Sequence, residues 1–294
     1  MASTLVRNRH RTASASSPQA VQADRSAPAG HDCPDVLARA RARDWAEIQE
    51  RMLVPLYEAV YERLEVGAGS RLLGLGCGSG LALLIAAARG AAVTGTESDP
   101  GRLDLARERM SASVPPSADA RLAAGTDAVH DPGRPAWNLI TAFQPIGGGA
   151  GDAQWLEEAL REAVAGAERG AAVVLTGWGP PERCATSGVL RVAHKGRPGR
   201  ASGPASPRDG LEDVAARAGL RPDGSGRVAC PFGYADADSA VRGLMSTGLY
   251  DAAARESDAD QVAKEIAEAL HPYRRPDGTV WMPNVFRYLI ARVP

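Results

Sequence analysis

Residues 71–100, RLLGLGCGSGLALLIAAARGAAVTGTESDP, read in order as an apolar run, a glycine-rich turn, a helix-like segment, a second apolar run and an acid. A strand that ends in Gly76-Cys77-Gly78-Ser79-Gly80 and passes straight into a helix lets a ligand lie against bare backbone, because glycine has no Cβ to hold it off. The first turn of the helix adds free N–H donors. Seventeen residues after Gly80, Glu97 closes the second strand, where a carboxylate can accept both hydroxyls of a ribose. The pattern predicts a β–α–β unit that holds a nucleoside-bearing ligand.

The rest of the chain extends this alternation. Short apolar strand candidates, RLLGLG, AAVTGTE, ARLAAG, WNLITAF and AAVVLTGW, are separated by amphipathic segments, which predicts an α/β fold with parallel strands and helices on both faces. Before them, residues 35–65 carry Leu37, Trp45, Ile48, Met52, Leu56 and Val60 at three- and four-residue steps, a helical stripe that Pro55 divides in two. Residues 196–210, GRPGRASGPASPRDG, read as a loop, a solvated linker or a lid. Beyond it the pattern gives a helix near 211–218, a strand near 226–233, helices near 237–248 and 259–270, and a last strand near 279–292. Residues 1–30 read as a disordered tail and 31–294 as one domain, with N-terminal helices at 35–65, a ligand-binding half at 66–180 and a helical cap inserted at 236–272.

A formal net charge of -1 supplies no global field for nucleic acid or an acidic membrane, and no segment approaches the length of a membrane span. Cys33, Cys77, Cys184 and Cys230 lie far apart with no C-x-x-C pair, so neither a zinc site nor a disulfide framework is expected. The acids and histidines show no metal-ligand spacing, and a reducing cytoplasm fits the cysteine usage. The partner expected is a small molecule, with the chain working as a monomer or homodimer.

The turn matches neither a dinucleotide fingerprint, since Leu81 or Ser79 falls where the third glycine belongs, nor a phosphate-binding P-loop, since no lysine is near. It resembles motif I of the class I S-adenosylmethionine-dependent methyltransferases, (D/E)-x-G-x-G-x-G followed by an acid at the end of the second strand. ESDPGRLDLARER is similar to that family's exit from the second strand, with Asp99 as N-cap and Pro100 at the first helical position. FRYLIARVP and HPYRRPDGTVWMPN look like actinobacterial small-molecule methyltransferases of the ubiquinone/menaquinone type. The resemblance implies a Rossmann-like methyltransferase fold with a mostly parallel seven-stranded sheet, S-adenosyl-L-methionine as cofactor, and methyl transfer to a small-molecule acceptor, in specialised metabolism. It implies cofactor contacts from Gly74, Gly76, Cys77, Gly78, Gly80, Glu97, Ser98, Thr126, Asp127 and Phe143.

The chain departs from the family at three places. Gly74 stands where motif I has an acid, Trp137-Asn138 where the fourth strand begins Phe-Asp, and Gly125-Thr126-Asp127 where a Gly-Asp pair is usual. Loss of two carboxylates beside a cationic ligand leaves a second reading open: a methyltransferase fold without methyl transfer, either a cyclase or isomerase or an inactive partner subunit. Methyl transfer asks mainly for alignment and exclusion of water, so a base is hard to read from sequence. The candidates are His130, His194 and Tyr57, with His271 near the last helix. For the acceptor, strand ends and the cap offer Gln144, Trp178, Tyr234 and Arg242, and the N-terminal helix offers Tyr57 and Tyr61. Core packing is the alternative for Phe143, Trp178 and the two tyrosines, and a surface ion pair for Arg242.

Overall fold

The computed structural model describes residues 34–115, 119–125, 135–147, 152–193 and 210–294. Five strands come first: β1 (Arg71–Leu75), β2 (Ala92–Glu97), β3 (Ala120–Ala124), β4 (Trp137–Ile146) and β5 (Ala167–Trp178). Four more follow: β6 (Arg221–Ala229), β7 (Phe232–Tyr234), β8 (Val280–Met282) and β9 (Val285–Arg292). Seven of them form one sheet in the order β3-β2-β1-β4-β5-β9-β6. The pairs among β1 to β5 are parallel and β9 runs antiparallel to both β5 and β6. Strand order reverses between β1 and β4, so a crevice opens at the carboxyl ends of these two strands, where open α/β sheets take their ligands.

Side chains alternate across the sheet with period two. Leu72, Leu139, Val174 and Ile290 face a layer containing α2 (Val54–Arg63) and α3 (Leu81–Ala88), together with α10 (Ala259–Ala269). Their neighbours Leu73, Ile140, Val173 and Leu289 face α5 (Asp152–Ala165) and α7 (Gly210–Arg217). With both faces covered, the central strands need apolar residues at every position, which explains the continuous runs seen in the sequence. Helix α4 (Pro100–Ser113) joins β2 to β3, and α6 (Thr186–Ala193) follows β5. Helices α8 (Ala237–Met245), α9 (Asp251–Glu256) and α10 lie between β7 and β8.

Two boundaries differ from the pattern reading, and proline accounts for both. The stretch near 226–233 divides at Cys230-Pro231 into β6 and β7, and the stretch near 279–292 divides at Pro283-Asn284 into β8 and β9. Proline has no N–H to give a ladder, so the chain leaves the large sheet there; β7 and β8 form a two-stranded sheet of their own. The N-terminal break also lies earlier than Pro55, which occupies the first turn of α2, where its missing N–H costs nothing. Helix α1 (Pro34–Asp44) gives way to a π-helical turn at Trp45–Gln49 and a 3-10 turn at Glu50–Leu53. That irregular stretch carries four side chains to the crevice. Among the described residues no helix is long and apolar enough to cross a membrane.

Candidate functional site

The glycine turn follows β1 directly. Gly76, Gly78 and Gly80 have φ of +61, +60 and +84, a region that side chains with a Cβ rarely enter. The N–H of Cys77 donates to the Thr96 carbonyl at 2.9 Å and ties the turn to β2. At the end of β2 the buried Glu97 accepts from the Gly78 N–H through Oε2 at 2.8 Å and from the Asp99 N–H through Oε1 at 2.9 Å. Each oxygen keeps a lone pair for a ligand hydroxyl. Beyond it Asp99 caps α4, its Oδ1 accepting from the Arg102 N–H at 2.9 Å, with Pro100 first in the helix, as the sequence suggested. Gly125, after β3, donates to the Glu97 carbonyl at 3.3 Å.

A second carboxylate reaches the same turn from the irregular segment. Glu50, 2% exposed, accepts from the Ser79 N–H at 3.2 Å and from the Ser79 hydroxyl, and Arg109 on α4 stands 3.7 Å away. Burial outweighs these partners and pushes its carboxyl up to about 7. A Cβ on Gly78 would lie 2.7 Å from Glu50 Oε1 and 3.1 Å from Trp45 Nε1. Arg102 packs its guanidinium 4.3 Å from the Trp45 ring centroid and donates to the Ser246 carbonyl at 2.8 Å, which fixes the indole over the turn. The Trp45 Nε1–H is buried and has no partner. On the other side the exposed Trp155 of α5 covers Gly76, its ring 3.0 Å from where a Cβ would stand.

Two cavities meet at this place. The first, about 20 Å³, is lined by Gly74 to Gly78 with Glu50, Tyr57, Arg102 and Phe143. The second, about 50 Å³, lies among Trp178, Thr186, Phe232, Leu244 and Phe286. Trp45, Leu53 and Gln144 border both.

The predicted site residues divide accordingly. Gly74, Gly76, Cys77, Gly78, Tyr57 and Phe143 come together around the first cavity, and Gln144 and Trp178 around the second. Gly80 packs against Ala106 of α4, and Ser98 is exposed between Glu97 and the Asp99 cap. Tyr57 is fully enclosed, with its ring 4.7 Å from Phe143, and burial holds its hydroxyl far above the ordinary tyrosine range. Burial raises the Cys77 thiol likewise, so it is no ready nucleophile. Thr126, Asp127, His130 and His194 lie outside the described residues, while His271 is exposed in a 3-10 turn.

Ligand roles for Tyr61, Tyr234 and Arg242 and the placing of Asn138 beside the ligand need correction, and for Tyr61 and Arg242 the other readings given above, core packing and a surface ion pair, are the ones met. Tyr61 is a core residue, its hydroxyl donating to the Ala82 carbonyl at 3.0 Å and its ring edge-on to Phe143 at 5.6 Å. Tyr234 lines neither cavity; its hydroxyl donates to Gln49 Oε1 at 2.9 Å, so it supports the segment that does. Arg242 is more than half exposed and pairs with Asp44 at 3.6 Å on the surface. Asn138 is at the amino end of β4, where its Oδ1 accepts from the Arg71 N–H at 2.8 Å and its Nδ2 donates to the Gly69 carbonyl at 2.9 Å. Five residues separate it from Phe143, roughly 16 Å of strand, so it fastens β4 to the start of β1 and touches no ligand in the crevice. At Gly74 an added Cβ would meet Leu83 at 2.9 Å, so packing has filled the space an acid would need. Trp45, Gln49, Glu50, Arg102 and Trp155 were missed. Their only signal was Trp45 on the helical stripe, and Glu50 falls on the face that a regular helix would have turned to water. Among the described residues no cluster of acids, histidines and cysteines could hold a metal ion.

No protein-family model matches the sequence, and no curated protein is similar to it in sequence. Solved structures do match it in three dimensions. A candidate methyltransferase from Bacillus halodurans shares 14% identity over 81% of this chain and 98% of its own, with a TM-score of 0.51. A protein of the conversion of a disulfide bond into a thioacetal group during echinomycin biosynthesis shares 16% over 81% and 80%, at 0.50. The YcgJ protein of Bacillus subtilis shares 12% over 80% and 97%, also at 0.50. The likeness is one of fold, and the fold is the Rossmann-like one of the class I methyltransferases.

Proposed function

We propose that the chain binds S-adenosylmethionine at the glycine turn and transfers its methyl group to a small-molecule acceptor. The observation that carries this reading is Glu97, held by the Gly78 amide at the carboxyl end of β2 beside the crevice, with free lone pairs on both oxygens. The surroundings fit the cofactor. Gly76 and Gly78 leave a cradle that any Cβ would fill, and Trp45 Nε1–H is a buried donor in want of an acceptor. The cofactor's amino and sulfonium groups are cationic, and Glu50 brings to the turn a carboxylate that Gly74 does not supply. This weakens the case for a lost cofactor site, since Asn138 was never near it and the missing acid has a neighbour able to stand in.

When bound, the cofactor supplies an electrophilic methyl group. The chain's own residues then bind, orient and exclude water. Glu97 takes the ribose hydroxyls, Glu50 and Arg102 set the charge beside the turn, and Trp45, Phe143 and Trp155 shut out solvent. The first cavity holds about one water as it stands, so the site would have to open to take a ligand of the cofactor's size. Among the described residues none that lines the second cavity is a base, which suits an acceptor already nucleophilic at neutral pH.

Calorimetric titration with S-adenosylmethionine and S-adenosylhomocysteine tests the reading. Micromolar binding is expected for both, weakened about tenfold or more in Glu97→Ala by the loss of charge-assisted hydrogen bonds. Absence of binding by folded protein, or an unchanged affinity in folded Glu97→Ala, overturns it.

A further inference from the structure

The second cavity has a chemistry of its own. Trp178 is 7% exposed and Thr186 1%, yet the Trp178 Nε1–H and the Thr186 hydroxyl are both buried without a hydrogen-bond partner. Buried polar groups are almost always satisfied, and these two orphans belong to side chains that line one space. An indole N–H can only donate, so the partner must accept. Gln49 adds to this bias: its oxygen is already engaged by Tyr234, which leaves its NH₂ to offer. Thr247 is already occupied, donating to the Leu244 carbonyl at 2.6 Å and accepting from the Leu249 N–H.

The walls are aromatic and uncharged. Trp178 lies 4.7 Å from Phe286 and 6.2 Å from Phe232 between ring centroids, in tilted and edge-on arrangements that accept a further ring. Among the described residues that line the space none carries a charge, so a carboxylate or ammonium would be buried there unpaired, at heavy cost. A polyhydroxylated ligand would find too few partners for its hydroxyls.

We propose that this cavity takes a neutral, largely apolar ring compound whose hydrogen-bond-accepting oxygen, as in a ketone, quinone or aryl ether, is received by Trp178 and Thr186. The two cavities share the wall of Trp45 and Gln144, but the assignment of this compound does not depend on the function proposed above. As it stands the space, about 50 Å³, has room for about three or four waters and not for a ring, so a ring compound enters only as the walls part, and water is the competing occupant.

The test uses the full chain and three probes of similar shape: acetophenone, ethylbenzene, which lacks the oxygen, and benzoate, which is charged. Indole N–H resonances are followed by nitrogen-15 correlation spectra with and without S-adenosylhomocysteine, the Trp178 signal being the one absent from Trp178→Phe. Acetophenone is expected to shift that signal and to bind about tenfold tighter than ethylbenzene, one hydrogen bond's worth, while benzoate does not bind. Trp178→Phe, which keeps a ring and removes the donor, should bring the ketone down to the hydrocarbon's affinity; Thr186→Val serves the same purpose if the first variant fails to fold. Equal affinities for ketone and hydrocarbon, a preference untouched in both folded variants, or no binding of either probe overturns the inference. If S-adenosylhomocysteine fails to bind while the ketone preference holds, the cofactor reading falls and the cavity assignment stands.

Discussion

The two cavities share a wall, but they are built in opposite ways. The first is local and charged: residues 74–80 and Glu97 come from one β–α–β unit, and Glu50, Arg102 and Arg109 stand around it. The second is dispersed and neutral, drawing Trp178, Thr186, Phe232, Leu244 and Phe286 from β5, α6, β7, α8 and β9. A site held by backbone geometry reuses one ligand across many chains, whereas a site assembled from side chains of five elements can change its ligand by substitution. The contrast fits the two proposals, a common cofactor for the first cavity and a chain-specific compound for the second.

Titration of Glu50 gives the largest expected effect. Its folded value of about 7 lies above the ordinary 4.5, so the folded state binds the extra proton between those limits. Stability is therefore greatest below pH 4.5 as far as this group is concerned, falls as pH rises through 4.5 to 7, and is level above; the loss is on the order of 3 kcal/mol. Denaturant melts of Glu50→Gln should lack that component, and a pH dependence identical to the parent's would remove Glu50 from the account. Acetophenone affinity in the second cavity should show no such dependence.

Gly78→Val comes next. The branched side chain enters an unfavourable φ of +60 and meets Glu50 and Trp45, so cofactor affinity should fall by about 2–3 kcal/mol while the acetophenone shift at Trp178 persists. Loss of both together would show that the cavities are one site. Asn138→Ala addresses the opposite end of β4. It should cost about 1–2 kcal/mol of stability, from two hydrogen bonds, and leave S-adenosylhomocysteine affinity unchanged in the same titration. A marked fall in affinity would return Asn138 to the cofactor's neighbourhood. Arg242→Ala is the smallest, within about 0.5 kcal/mol in thermal melts and without effect on either ligand, as suits an exposed pair with Asp44.

Much of the first cavity was legible in sequence because its determinants are contiguous. Three positive-φ glycines, an acid seventeen residues on and a capped helix after it each leave a mark in a short window, and together they mark the carboxyl ends of β1 and β2. The second cavity left no such mark, since Trp178 and Thr186 become neighbours only through tertiary packing. Trp178 could be placed at a strand end; Thr186, Phe232 and Phe286 could not. The ligand role offered for Arg242, against its alternative of a surface ion pair, failed for a related reason. A polar residue in an inserted helix has a face that periodicity can estimate, but which neighbour that face meets depends on α1 and the π-helical turn beyond it. Asn138 was misread because position in a motif was taken for position in space, when a ten-residue strand has two ends far apart.

Trp45 closes the account of the shared wall in thermodynamic terms. Its indole edge stands over Gly78 and its ring borders the aromatic cavity, so any ligand that displaces it on one side alters the free energy of binding on the other. Linkage makes this reciprocal: the factor by which S-adenosylhomocysteine changes acetophenone affinity must equal the factor by which acetophenone changes that of S-adenosylhomocysteine. One tryptophan thus makes the coupling between the two ligands a measurable property of the protein.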